Sequence, residues 1–179
     1  MKKIKIIIVL IISTYFVAFN SYSSESSLSE AETVAQTYMT ALFHGNLKLS
    51  FSLMDQEILQ EQQNSIKNAY ESSIKDGSSE IFVKQFNNIN DLAELLKLPP
   101  NEFFVILSEK DRERARPEHL ELMKKTIVKV TDSAFMEDNK AKVSLEIINP
   151  KPDGNPFMQK GGLILALKNG KWFVVGNAK

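Results

Sequence analysis

The stretch GLILALKNGKWFVV, residues 162–175, decides how this chain is read. Two apolar runs, Gly162 to Leu167 and Trp172 to Val175, flank Asn169-Gly170. A type I′ turn needs positive φ at both central residues, and Asn followed by Gly meets that need at low cost, so the pair predicts a tight hairpin. Immediately upstream, Ala141, Val143, Leu145 and Ile147 alternate with Lys142, Ser144 and Glu146, the period-2 pattern of a strand with one wet face. Ile127 to Val130 opens a further strand, and Glu137-Asp138-Asn139-Lys140 is the polar turn that follows Phe135. The segment NPKPDGNP, residues 149–156, has too much proline to be helix or strand and must be a loop. The last third is therefore expected to be an antiparallel meander of about four strands.

Moving toward the N-terminus, the period changes from 2 to 3.6. Val34, Tyr38 and Leu42 recur at i, i+4, i+8, with Ala35, Met39 and Phe43 beside them, which predicts a helix from about Ser29 to His44. Ser29 and Glu32 have the spacing of a capping box, and Gly45 is a natural helix stop. Leu47 to Met54 is a second, short apolar group. Asp55 is expected to cap a third helix ending at Asp76-Gly77, with Leu59, Ile66, Tyr70 and Ile74 on its buried side. Residues 78–116 are less regular: Ile81, Phe82, Val83 and Phe86 suit either a short strand or a helical turn. Leu92 to Leu98 looks helical up to Pro99-Pro100, and Asn101 to Lys110 resumes as helix. The mixed-charge run Lys110-Asp111-Arg112-Glu113-Arg114 reads as a solvated helix face. Pro117 closes this part, with room for another turn or two before Lys125.

The first residues read differently. Lys2, Lys3 and Lys5 precede an apolar run of 14 residues, Ile6 to Phe19, broken by Ser13 and Thr14. Ser21 and Ser23 then supply small residues at −3 and −1 of a cleavage site before Ser24. A spanning helix wants about 20 residues, so residues 1–23 are expected to be a signal peptide, with a retained signal anchor as the alternative. The expected organisation is a single domain, residues 24–179, with a helical elaboration around 78–116, working in the periplasm or outside the cell. The chain balances 22 basic against 22 acidic residues; losing Lys2, Lys3 and Lys5 leaves 19 against 22. That mildly acidic balance argues against nucleic acid as a partner. There is no cysteine, which removes lipid attachment through a thioether, a thiol nucleophile, a thiolate metal site and a redox pair.

The segment AETVAQTYMTALFHGNLKLSFSLMD, residues 31–55, followed by helices and by a closing LALKNGKWFVV, resembles the nuclear transport factor 2-like superfamily. The echoes are Ala41-Leu42 with Gly45-Asn46, and the terminal turn followed by Trp172. The resemblance implies a cone-shaped α+β fold in which N-terminal helices pack on a curved antiparallel sheet. Among exported bacterial members it implies lipid carriers, toxin-neutralising proteins and secretion-system accessories; elsewhere it implies isomerases, dehydratases and polyketide cyclases that use the cone cavity.

For catalysis the chain offers only His44 and His119. His44 falls in the last turn of the first helix, where an imidazole commonly meets free carbonyls. His119 lies in a charged junction that reads as surface, and His119-x-Glu121 is too short and isolated for a metal site. Asp55 and Glu57 form an acidic pair, but capping accounts for Asp55 more economically. No Ser-His-Asp order, phosphate loop or zinc spacing appears, so no catalytic, cofactor-binding or metal-ligating residue is assigned and no cofactor is expected. Aromatic side chains are more suggestive. In a cone some of them would line a pocket, and Tyr38, Phe51, Phe103, Phe104 and Trp172 are the candidates. The function expected is binding without chemistry, of an apolar small molecule or an envelope protein. A homodimer through the wet face of the sheet is the accompanying expectation for self-association.

Overall fold

The computed structural model describes residues 28–86, 89, 91–151 and 154–178; the expected signal segment and its cleavage site lie outside the described residues. Helix α1 covers 28–44, and Gly45 ends it at φ +82°. Then come α2 (Leu47–Ser52), α3 (Gln56–Lys75), α4 (Ser79–Gln85), α5 (Leu92–Leu95), α6 (Pro100–Glu113) and α7 (Pro117–Met123). Four strands close the chain: β1 (Ile127–Met136), β2 (Lys140–Asn149), β3 (Phe157–Lys168) and β4 (Lys171–Asn177). They form one sheet in sequence order, every pair antiparallel. The fold is α+β, helices first and meander after, as the periodicities predict. Both two-residue turns take the conformation their sequences ask for. Asn169 and Gly170 have φ of 51° and 74°, and Asp138 and Asn139 have 60° and 55°, all positive as a type I′ turn requires.

Two separate cores result. In the first, α1 lays Ala31 and Ala35, both fully buried, against Val143, Leu145, Leu163, Leu165 and Val174 of the sheet. Small residues one turn apart let the helix sit close to the strands. In the second, Phe103 of α6 and Leu92 of α5 are fully buried with Ile89, and Ile66, Tyr70, Phe82, Phe86 and Phe104 pack around them. Five aromatic rings make contacts there: Tyr70–Phe82 and Phe82–Phe86 at 5.9 and 4.9 Å, and Phe103–Phe104 edge to face at 5.0 Å. The segment around Ile81 is helix, because it is through α4 that Phe82 and Phe86 reach this second core.

Three joints connect the halves. Phe51 of α2 stacks on Phe104 of α6 at 5.9 Å. Arg112 of α6 donates to the carbonyls of Leu42 and Phe43, at 3.3 and 3.5 Å, and so satisfies the open end of α1. Gly45 makes that approach possible, since a Cβ there would meet the Arg112 guanidinium at 2.9 Å. Arg112 is therefore half-buried and structural, not part of a solvated face. The third joint is Asp55, whose amide donates to Val174 O (3.0 Å) while Val174 N–H donates to Leu53 O (2.9 Å), bridging the start of α3 to β4.

Two further expectations are corrected. Leu28 and Ser29 are already helical, so Ser29 does not cap α1, and the Glu32 carboxylate instead accepts a hydrogen bond from the Ser133 hydroxyl of β1. Ile74 does not share the buried side of α3 but is 54% exposed. Besides Leu59, buried as expected, α3 buries Gln63, whose amide donates to Leu98 O at 2.9 Å beyond the end of α5.

Candidate functional site

The inner face of the sheet is longer than the helix that covers it. α1 stops at His44, while the facing rows continue to Asn149, paired in register with Phe157, and to Gln159, paired with Ile147. Helix α7 partly fills the gap. Pro117 at its first position needs no hydrogen-bonded N–H there and sets φ for the helix, and a spacing of three and four residues puts His119, Leu122 and Met123 on one face. The result is a cleft of about 290 Å³. Phe43, Leu122, Met123, Pro150 and Phe157 make its apolar walls, and His119, Thr126, Asn149 and Gln159 are its polar groups.

The polar groups have direction. Buried Thr126 donates its hydroxyl to Asn149 Oδ1 at 3.1 Å. The Thr126 carbonyl lies 3.2 Å from His44 Nε2, which donates to it as the Nε2–H tautomer. One residue at the mouth of β1 thus ties the end of α1 to the end of β2. His44 serves this tie, and Arg112 takes the carbonyl-capping role expected of the histidine. His119 is exposed and borders the cleft.

The five aromatic candidates do not share one pocket. Tyr38 is half-buried against the sheet core, where burial raises its phenol above the ordinary value and its hydroxyl points at Met54 Sδ, 3.7 Å away. Trp172 is buried in the same core and also borders a second concavity, with Val34, Leu53 and Phe173. Phe103 is sealed in the helical core, and Phe104 and Phe51 form the stacked joint beside it. Of the aromatic groups, Phe43 and Phe157 are the two that line the cleft. Both stand at the ends of their elements, where periodicity gives the least information.

The acidic pair is arranged for structure. Asp55 is buried and caps α3, accepting from the amides of Glu57 (2.9 Å) and Ile58 (3.4 Å). Lys168 Nζ lies 2.6 Å from Asp55 Oδ2 and 2.5 Å from Glu57 Oε2. Burial would push the Asp55 carboxyl up, but the Lys168 contact and the two helix amides outweigh it and hold the group below its ordinary range. The same two carboxylates raise the Lys168 ammonium.

Among the described residues, no group of three or more His, Cys, Asp or Glu is placed to hold a metal ion, and no helix is long and apolar enough to cross a membrane. Compared with protein families, curated proteins and solved structures, the chain matches none of them.

Proposed function

We propose that this is an exported binding protein of the nuclear transport factor 2-like type, which holds an apolar small ligand in the cleft between α7 and the open end of the sheet. The observation that carries the reading is the cleft itself, lined by five apolar residues and a few polar ones. Binding sites for small molecules have this composition. Export rests on Lys2, Lys3, Lys5 and the apolar run behind them, with processing before Ser24. Native mass spectrometry of protein purified from its own cell envelope tests the reading. A retained apolar molecule, lost when Met123→Trp fills the cleft, is the expected result. Protein that is empty, and whose thermal transition no apolar compound moves, would overturn it.

A second reading concerns the outer face. Ile127, Ile148 and Met158 lie directly opposite one another across β1, β2 and β3. Ile127 is 53% and Met158 62% exposed. A second copy covering this row would give the homodimer through the sheet. Sedimentation should then find a dimer that Met158→Glu dissociates; a monomer at high micromolar concentration would end this reading.

A further inference from the structure

We infer that the outer face of the sheet, at the end marked by Ile127 and Met158, docks on the surface of an anionic lipid bilayer, independently of what the cleft holds.

Alternation assembles this face. Val128, Val143, Leu145 and Leu163 point inward to the core, so the residues between them point out. Pairing in register sets the outward residues in rows across β1, β2 and β3. The end row is apolar, Ile127–Ile148–Met158, and Ile127 and Met158 are each more than half exposed. The next row is Lys129–Glu146–Lys160, with both lysines exposed. An exposed apolar row beside a row of lysines suits a bilayer interface. The apolar tips enter the headgroup boundary, while the long lysine stems hold their ammonium groups at the level of the phosphates.

Charge decides which occupant fits. Further along the same strands the outward rows add Lys142 and Lys140 against one acid, Asp132. These rows therefore hold four lysines and two acids, Glu146 and Asp132. The chain without its first 23 residues carries 19 basic and 22 acidic groups, so everything outside the rows stands at 15 against 20. One face is positive on an otherwise negative molecule. An anionic surface attracts that face and repels the rest, which selects the orientation as well as the affinity. A second copy laid on the same rows would bring two lysine excesses together, so the charge favours the bilayer over the homodimer.

Co-sedimentation with vesicles tests this, using phosphatidylcholine alone and phosphatidylcholine mixed with phosphatidylglycerol. The purified protein should partition about twentyfold more strongly onto the mixed vesicles, at about fivefold for each of the two net charges near the surface. Raising the salt to about 0.5 M should remove most of that preference. Lys129→Gln combined with Lys160→Gln should remove most of it as well. Lys67→Gln combined with Lys84→Gln takes the same charge from exposed positions on α3 and α4 and should leave it unchanged. Met158→Ser should weaken binding to the mixed vesicles about fivefold by withdrawing apolar area. All five substituted side chains are exposed, so each variant should keep the thermal transition of the unaltered protein. Equal partition onto the two vesicles overturns the docking, and so does a preference that the two lysine pairs alter alike. A lipid-free dimer that Met158→Glu dissociates, and that leaves the vesicles unbound, also overturns it, because the face then belongs to a second copy. None of these outcomes bears on the cleft reading, which native mass spectrometry decides without added lipid.

Discussion

Leu165 and Phe103 are both fully buried, yet they belong to cores built on opposite plans. Leu165 is held in a ladder, with Ala141 on one side and Val174 on the other, and α1 crosses over it from more than a hundred residues earlier in the chain. Phe103 is held by neighbours near in sequence, in short helices that turn back on one another between α3 and α6. Backbone pairing fixes the position of each side chain in the first core. In the second, ring-to-ring contacts do that work. Cooperative units in proteins commonly follow such boundaries, so the helical layer is expected to open without the sheet, and the sheet not without the helical layer.

The sharpest way to break that comparison is to empty each core in turn. Phe103→Ala should cost about 3–5 kcal/mol, with faster amide exchange confined to α3–α6 while the strands stay protected. Leu165→Ala, at about 2–5 kcal/mol, should lower protection in both halves. If Phe103→Ala loosens strand amides as much as helix amides, the two cores are one unit and the comparison fails.

The joints give smaller effects. Asp55→Ala removes a buried cap and the partner of Lys168 and should cost about 2 kcal/mol. Its pH dependence has a definite sign. The carboxyl is held below its ordinary range only in the folded state. As the pH falls, the unfolded chain therefore takes up this proton first. The stabilisation is complete at neutral pH, and it is lost as the pH descends through the ordinary aspartate range toward the folded value. Acid unfolding of Asp55→Ala should lack that part of the slope. Gly45→Ala should cost about 1–2 kcal/mol for a side chain at φ +82°, plus a further increment for displacing Arg112. The increment should vanish in the Arg112→Ala background, a coupling that a double-mutant cycle measures directly. Smallest is His44→Ala, about 1 kcal/mol for one hydrogen bond to Thr126, with ligand retention unchanged. A loss of function in a stably folded His44→Ala protein would give that histidine a role in chemistry.

The two halves were unequally legible for the same reason that they differ in construction. In the meander each residue has one of two faces, and Asn169-Gly170 pins the register, so Ala141 to Ile147 could be placed to the residue. The same logic marked Asp55 and Gly45, because a cap and a left-handed stop are local requirements. In the helical half a stripe names a face but not its partner. Ile74 continues the stripe of α3 and meets solvent, whereas Gln63 is buried because α5 happens to end beside it. Arg112 looked solvated because its partners, the carbonyls of Leu42 and Phe43, lie seventy positions away. The cleft was the least legible feature. Phe43, Thr126, Met123, Asn149 and Phe157 come from the ends of five separate segments, and only the shortfall of α1 against the length of the sheet brings them to one place.

The two outer strands of the meander have a consequence for life in a crowded compartment. A four-stranded open sheet exposes two rims of unpaired amides and carbonyls, each able to recruit another chain and start a fibril. On β4 the rim is already spoken for at Val174, whose N–H and C=O are both taken by the segment entering α3. Along β1, side chains of α1 intercept the rim: Gln36 donates to Val128 O at 2.8 Å and His44 to Thr126 O, and the pairing is further disrupted by a bulge between Val130 and Asp132. Each rim is thus interrupted at the strand positions where these contacts fall. Strand addition is thereby hindered at Val174 on one rim and at Thr126 and Val128 on the other, without closing a barrel.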